Sequence, residues 1–166
     1  GFQVAFMAPT EILAEQHFEK LNYWLTKLGI HIELLTGSMK PRLKEKSYEK
    51  IKSGEAKLIV GTHALIQEKV DYKNIGFYII DEQHRFGVRQ RVALKKKSES
   101  NKDFEPHQLM MSATPIPRTL AMNYFADMDI SIINEMPPGR QSITTKVFSS
   151  EKRSQILDTI NQHCLN

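Results

Sequence analysis

Two adjacent carboxylates, Asp81 and Glu82, follow the apolar residues 77–80 and precede Gln83 and His84. An unbroken apolar run of this length is typical of a strand that is buried on both faces of a parallel sheet. Parallel sheets bind ligands at the edge where their strands end, so we expect the acid pair to lie at such an edge. The pair favours Mg²⁺ and phosphate chemistry, and the alternative is a strand end whose charges are merely solvated.

Small, polar or proline-containing turns follow four further predicted strands. The turns are Ala8-Pro9-Thr10, Thr36-Gly37-Ser38, Gly61-Thr62-His63 and Ser112-Ala113-Thr114-Pro115. If the strands are parallel, all four turns share an edge with the acid pair. Glycine lets a backbone approach closely, and hydroxyl groups and helix N-terminal amides donate to phosphate oxygens. No turn is specific alone, but together they predict a phosphate-rich ligand.

The elements that must position these residues are predicted from apolar periodicity. Strands alternating with helices indicate an α/β fold with a parallel sheet flanked by helices. The predicted strands are residues 4–8, 30–35, 57–60, 77–80, 108–111, 130–133 and 143–148. The first helix should begin at Thr10 as N-cap and end at Gly29. Its apolar stripe is Ala14, Phe18, Leu21, Leu25 and Leu28.

Three further helices are predicted. One begins at Pro41 and stops before Gly54. The next has Pro117 near its start and carries Leu120, Met122 and Phe125, and the last covers residues 151–165. Proline is favoured at the first position of a helix, where its missing amide hydrogen is not needed. The segment 136–140 contains two prolines and a glycine and predicts a stiff turn.

The composition permits nucleic acid as a partner without establishing it. The chain has 166 residues, with 23 Lys and Arg against 19 Asp and Glu, a net charge of +4. Its only cysteine, Cys164, excludes an internal disulfide or a cysteine-based zinc site and fits a reducing compartment, so we expect a cytoplasmic location. No apolar run approaches the roughly 18 residues of a membrane-spanning helix, and no membrane is expected as a partner.

Several motifs resemble those of superfamily 2 helicases of the DExH type. Asp81-Glu82-Gln83-His84 is similar to motif II and Ser112-Ala113-Thr114 to motif III. Residues 8–17 resemble motif Ia, and residues 61–65 resemble a later DNA-contacting turn. The longer runs 80–87, 112–120 and 137–140 are similar to RecG-type ATP-dependent DNA helicases. Transcription-repair coupling translocases share much of this pattern but more usually carry Glu at the position of Gln83.

The resemblance implies a RecA-like P-loop NTPase fold. Residues 1–136 would be a partial first motor domain that is truncated on its N-terminal side. Residues 137–166 would be a linker and the start of a second motor domain. The whole protein would be an ATP-dependent helicase or translocase that acts as a monomer.

The resemblance also implies roles for individual residues. Asp81 would hold Mg²⁺ through water, and Glu82 would deprotonate the water that attacks the γ-phosphate of ATP. Gln83 and His84 would complete the catalytic segment and contact the motif III residues, which couple nucleotide state to DNA. The coupling set is Ser112, Ala113, Thr114 and Arg118. The DNA-binding set is Pro9, Thr10, Gly37, Ser38, Gly61 and Thr62.

For two arginines the sequence leaves two roles open, and two histidines are expected to be structural. Arg118 and Arg140 fit either a domain interface or a DNA contact. His17 and His63 are expected to be structural rather than catalytic, because isolated histidines usually are.

A phosphate-binding loop of the form Gly-x-x-x-x-Gly-Lys-Ser/Thr is absent, since none of the eight glycines is followed by Lys. Truncation is the expected explanation, because the family places this loop upstream of motif Ia. The function implied is remodelling of branched DNA, such as replication forks and Holliday junctions, in recombination and repair. One alternative is the motor segment of a transcription-repair coupling translocase. The others are a nucleic-acid-binding module with a dead ATPase core, a P-loop ATPase without a nucleic-acid partner, and an RNA helicase.

Overall fold

The computed structural model describes residues 1–86, 97, 105–114, 129–140, 143 and 145–164. The chain divides into two compact units, Gly1–Leu120 and Ala121–Asn166. The predicted division into a motor domain at 1–136 and a linker at 137–166 stays a prediction.

The first unit contains a five-stranded sheet in the order β2-β3-β1-β4-β5. Its strands are β1 (Gln3–Met7), β2 (Ile32–Leu35), β3 (Leu58–Gly61), β4 (Ile75–Ile80) and β5 (His107–Met110). Every neighbouring pair is parallel. The parallel α/β fold predicted from the sequence is therefore confirmed, with strand bounds that differ by one or two residues.

The described residues of the first unit form two α-helices, and both begin where the sequence predicted. The second also ends as predicted, whereas the first stops at Leu25, before the predicted Gly29, which instead ends a 3-10 turn with φ 70°. Helix α1 (Glu11–Leu25) begins after Thr10, whose hydroxyl oxygen accepts a hydrogen bond from the Leu13 amide at 3.3 Å. Helix α2 (Pro41–Ser53) has proline at its first position and ends at Gly54 in the left-handed conformation, with φ 76°. A glycine at this position adopts positive φ without steric cost.

The core lies on both faces of the sheet. In β1, Ala5 and Met7 pack into one cluster with Ile51 of α2, whereas Phe6 packs into a second cluster with Ala14 of α1. Successive side chains of a strand point to opposite faces, so one strand supplies both clusters. Full burial of a Leu, Ile or Met side chain contributes about 1.5–3 kcal/mol. The sheet is thereby covered by α1 on one face and α2 on the other.

The stripe predicted for the first helix is correct except at one residue. Leu13, Phe18, Leu21 and Leu25 pack against the buried Ala14 cluster. Leu28 is 71% exposed, because it follows α1 in the short 3-10 turn Thr26–Leu28. The change from α-helical to 3-10 geometry rotates this side chain off the stripe.

The second unit differs from its prediction. The described residues of the predicted strands at 130–133 and 143–148 form no strand. Ile133 is 92% and Val147 94% exposed, so no strand among the described residues covers these apolar side chains. The predicted last helix is confirmed as α3 (Arg153–Cys164), which follows the 3-10 turn Ser150–Lys152.

The predicted stiff turn is present: the Arg140 amide donates to the Pro137 carbonyl at 3.2 Å, and Gly139 has φ 84°. The predicted helix after Pro117, with Arg118, lies outside the described residues. Among the helices that are described, none has both the length and the apolar character needed to cross a membrane.

Candidate functional site

The carboxyl ends of all five strands meet at one edge of the first unit. The Asp81 amide donates to the Met7 carbonyl at 2.9 Å, which places the end of β4 beside the end of β1. The Ala8 amide donates to the Gly61 carbonyl at 2.8 Å, which places the end of β1 beside the end of β3. The predicted acid pair and the predicted turns therefore share this edge.

Asp81 is held through both oxygens of its carboxylate. Oδ1 accepts a hydrogen bond from the Glu82 amide at 2.9 Å. Oδ2 lies 2.9 Å from Nε2 of His17, which belongs to α1. A carboxylate can only accept hydrogen bonds, so Nε2 is the donor in this pair. The two donors leave the Asp81 side chain 20% exposed at the sheet edge.

His17 is a polar residue of this site that the sequence prediction missed. The sequence predicts a structural histidine, whereas the structure places its ring nitrogen on Asp81. The ring also packs against Phe6 of β1, with 4.6 Å between ring centroids. A signal was available: His17 is three residues after Ala14 and four before Leu21, so it lies on the apolar stripe of α1 where a titratable side chain is unusual.

Glu82 has an unusual backbone conformation. Its φ of 49° is in the left-handed region, and it is the single non-glycine residue with positive φ in the described part of the chain. The conformation costs about 1–2 kcal/mol for a residue with a Cβ atom. It opens the 3-10 turn Gln83–Arg85, in which the Arg85 amide donates to the Glu82 carbonyl at 2.8 Å. Such outliers persist where the surrounding structure enforces them, often at functional sites.

The acid segment contacts the turn after β5 through His84 and Glu82. Nδ1 of His84 lies 3.4 Å from the Ser112 hydroxyl and 3.4 Å from Oε2 of Glu82. The same Oε2 accepts from the Ala113 amide at 3.4 Å. The Ser112 hydroxyl in turn lies 2.9 Å from that of Thr114. The predicted meeting of the two motifs is thus present for His84, with Thr114 reached through Ser112.

Gln83 joins the same turn by its backbone. Its amide donates to the Met111 carbonyl at 3.0 Å. Its side-chain oxygen Oε1 is buried, and none of the described residues offers it a hydrogen bond. Buried acceptors normally have a partner, which makes Oε1 a candidate acceptor for a group that enters the site. Arg118, the last predicted coupling residue, lies outside the described residues.

The turn after β2 is already occupied by a carboxylate. The Ser38 amide donates to Oε1 of Glu11 at 2.8 Å, and Lys44 Nζ donates to the Gly37 carbonyl at 2.6 Å. Hydrogen bonds from the side chain and backbone of Ser38 lower the pKa of Glu11. The amide predicted to bind a phosphate therefore has an internal anionic acceptor, and Gly37 and Ser38 are exposed around it.

The turns after β1 and β3 differ in exposure. Thr10 is exposed and Pro9 is half-buried, so both border the open edge. Thr62 is only 2% exposed, and its hydroxyl has no hydrogen-bond partner within the described ranges. A Cβ atom on Gly61 would lie 2.0 Å from the Leu35 carbonyl oxygen. Glycine is therefore required at 61 by the contact between β3 and β2, whatever ligand the turn binds.

The site fits a magnesium ion that is held through water. No group of three or more His, Cys, Asp or Glu residues in the described part of the chain could hold a metal by itself. Mg²⁺ keeps several waters and commonly uses one or two carboxylates together with phosphate oxygens. Asp81 offers one such carboxylate at the edge, with both oxygens already oriented by donors.

Comparisons with known proteins agree on one family. The model of the family described as DEAD/DEAH box helicase matches residues 1–122. The ATP-dependent DNA helicase RecG of Haemophilus influenzae is 52% identical over 166 residues, which is 100% of this chain and 24% of that protein. RecG of Escherichia coli K12 is 49% identical over 165 residues, covering 99% of this chain and 24% of that protein.

A solved structure agrees with both sequences. RecG bound to a three-way DNA junction is 41% identical, with a TM-score of 0.78, over 99% of this chain and 21% of that one. This chain thus spans only 24% of the length of each of the two RecG proteins.

Proposed function

The chain belongs to the DEAD/DEAH box helicase family, and from this we propose that it is part of the first motor domain of an ATP-dependent DNA helicase. Its parallel sheet is that of a RecA-like helicase domain. The similarity to RecG along the whole chain supports branched DNA as the substrate, including forks and Holliday junctions. Because the chain spans 24% of those relatives, this activity belongs to the whole protein.

One observation carries the proposal: the catalytic carboxylates and the motif III turn are in contact at the carboxyl edge of the sheet. Glu82 Oε2 reaches the Ala113 amide, and His84 reaches the Ser112 hydroxyl. Glu82 accepts a proton from the attacking water. Asp81 would hold Mg²⁺ through water, and the ion would supply positive charge that stabilises the phosphate oxygens. Loss or gain of the γ-phosphate then changes the contacts of Glu82, and His84 passes this change to Ser112.

The exposed turns at the same edge contact DNA phosphates. Thr10, Gly37 and Ser38 are exposed there, and Pro9 borders them. Gly61 and Thr62 form the adjoining turn. Because Thr62 is buried, its hydroxyl contacts a DNA phosphate only if it becomes exposed to solvent. Phosphate contacts position a nucleic acid without reading its sequence, so the preference is for DNA geometry rather than for bases. The net charge of +4 is compatible with this partner. The single cysteine supports a cytoplasmic location.

The test is Glu82→Gln in the intact protein that carries this chain. Removal of a general base lowers the rate by about a hundred- to ten-thousand-fold, so we expect ATP turnover to fall by that order while ATP stays bound. Turnover and unwinding of forked DNA are measured beside Glu19→Gln, which changes an exposed carboxyl on α1. A Glu82→Gln protein that unwinds forks at the normal rate would identify another base.

The same assay separates the alternative functions. ATP turnover that depends on Glu82 but is not stimulated by any nucleic acid would indicate an ATPase without that partner. Stimulation by branched RNA and not by branched DNA would indicate an RNA helicase.

A further inference from the structure

One contact at the site joins two elements that are far apart in the sequence. Nε2 of His17 in α1 lies 2.9 Å from Oδ2 of Asp81, which follows β4. The side chain of His17 is 31% exposed, so the pair is partly shielded from water. The roles given above to the acid segment and to the turns leave His17 without a function.

The two hydrogen bonds to Asp81 restrict its carboxylate more than either bond does alone. The Glu82 amide holds Oδ1 and His17 holds Oδ2, so rotation about the bond from Cβ to the carboxyl carbon would break at least one of them. The remaining lone pairs of both oxygens then point in set directions. A carboxylate that accepts from metal-bound water needs such an orientation before the metal arrives.

His17 is itself fixed by the element that carries it. Helix α1 is capped at Thr10 and anchored in the core through Ala14 and Phe18, which flank His17 along the helix. The ring of His17 is supported by Phe6 of β1. The donor therefore approaches Asp81 from a rigid support.

We propose that His17 is a positioning residue for the metal carboxylate: its Nε2–H group holds Asp81 in the orientation that accepts from metal-bound water. The inference rests on the proposed function, because it gives Asp81 a metal to bind. It adds a residue of motif Ia to the nucleotide site and assigns to α1 a role at both the DNA-facing turn and the metal.

The rival explanation is that the His17 ring only fills space beside Phe6. Two substitutions separate the explanations because each keeps one property of histidine. His17→Gln keeps an N–H donor of similar reach and loses the ring. His17→Phe keeps the ring and loses the donor. Positioning requires that Gln be tolerated and Phe be harmful, whereas ring packing requires the reverse.

The experiment measures Mn²⁺ binding to the intact protein in the presence of ADP, by electron paramagnetic resonance, and the Mg²⁺ dependence of ATP turnover. Loss of a residue that orients a metal ligand typically weakens metal binding about 10–100-fold. We expect His17→Phe to raise the Kd for Mn²⁺ by about tenfold. This is the low end of that range, because Asp81 would contact the metal through water. His17→Gln should restore the Kd to near the unsubstituted value. The Mg²⁺ concentration for half-maximal turnover should shift in parallel, with a smaller change in kcat.

Asp81→Asn distinguishes failure of this inference from failure of the proposed function. If Asp81→Asn leaves Mn²⁺ binding unchanged, the metal site itself is wrong. If Asp81→Asn weakens Mn²⁺ binding while His17→Phe does not, only the role of His17 is overturned. The same conclusion follows if His17→Gln weakens Mn²⁺ binding as much as His17→Phe does. His17→Leu serves as a second donor-free variant if His17→Phe does not fold.

Discussion

At the scale of the residue, the site combines a carboxylate that is held by donors with a carboxylate on a strained backbone. Asp81 is restrained by His17 and by the Glu82 amide. Glu82 has φ 49°, which directs its side chain toward the turn at Ala113. Proteins accept local strain of this kind where function requires a fixed geometry.

The strain at Glu82 gives a stability prediction. Glu82→Asn and Glu82→Ala both remove the carboxylate, but asparagine tolerates the left-handed conformation better than alanine does. We expect the free energy of unfolding of Glu82→Asn to exceed that of Glu82→Ala by about 1 kcal/mol. Urea unfolding of both variants measures the difference. An alanine variant as stable as the asparagine variant would mean that the backbone at 82 relaxes out of the left-handed region.

At the scale of the element, the turns at the sheet edge divide into those required by packing and those open to a ligand. Gly61 ends β3 against β2, where a Cβ atom would meet the Leu35 carbonyl oxygen at 2.0 Å. At Gly37 the nearest atom to an added Cβ is Oε1 of Glu11, at 3.2 Å, and this is the end of a flexible side chain. Both glycines were predicted to contact DNA, but only Gly61 is required by the sheet.

Alanine substitutions at the two glycines test this division. Overpacking a close contact costs about 1–3 kcal/mol, and we expect Gly61→Ala to lower the free energy of unfolding by at least this much. We expect Gly37→Ala to change it by less than about 0.5 kcal/mol, as exposed substitutions usually do. Thermal or urea unfolding of the two variants is the measurement. Equal stability of the two variants would contradict the packing requirement at 61.

At the scale of the whole molecule, the 166 residues contain the two carboxylates of the proposed nucleotide site but no Gly-x-x-x-x-Gly-Lys-Ser/Thr loop. Such a loop supplies the amides and the lysine that bind the β- and γ-phosphates. The chain spans 24% of its RecG relatives, so its activity has to be measured in the whole protein.

The missing loop gives a prediction for the chain alone. We expect the purified 166-residue chain to bind ATP weakly and to hydrolyse none, because in the proposed mechanism Asp81 and Glu82 act on a nucleotide that other residues must hold. ATP turnover by the chain is measured against that of the intact protein at equal concentration. Saturable turnover by the chain that disappears in Glu82→Gln would show that the loop is dispensable.

Within the described part of the first unit, the sequence by itself determined the order of strands and α-helices, most of the helix end signals, and the edge that carries Asp81 and Glu82. These follow from local periodicity and from residues such as Thr10, Pro41 and Gly54, whose preferences act within a few positions. The motif resemblance identified the family for the same reason, since each motif is contiguous.

Only the tertiary structure decided which residues from distant parts of the sequence contact one another. It placed His17 on Asp81 over a separation of 64 residues and Glu11 on the Ser38 amide over 27. It also left residues 130–133 without a strand, because an apolar run becomes a strand only when a neighbour accepts its backbone hydrogen bonds. Contacts between distant residues depend on how the elements pack, and no local pattern contains that information.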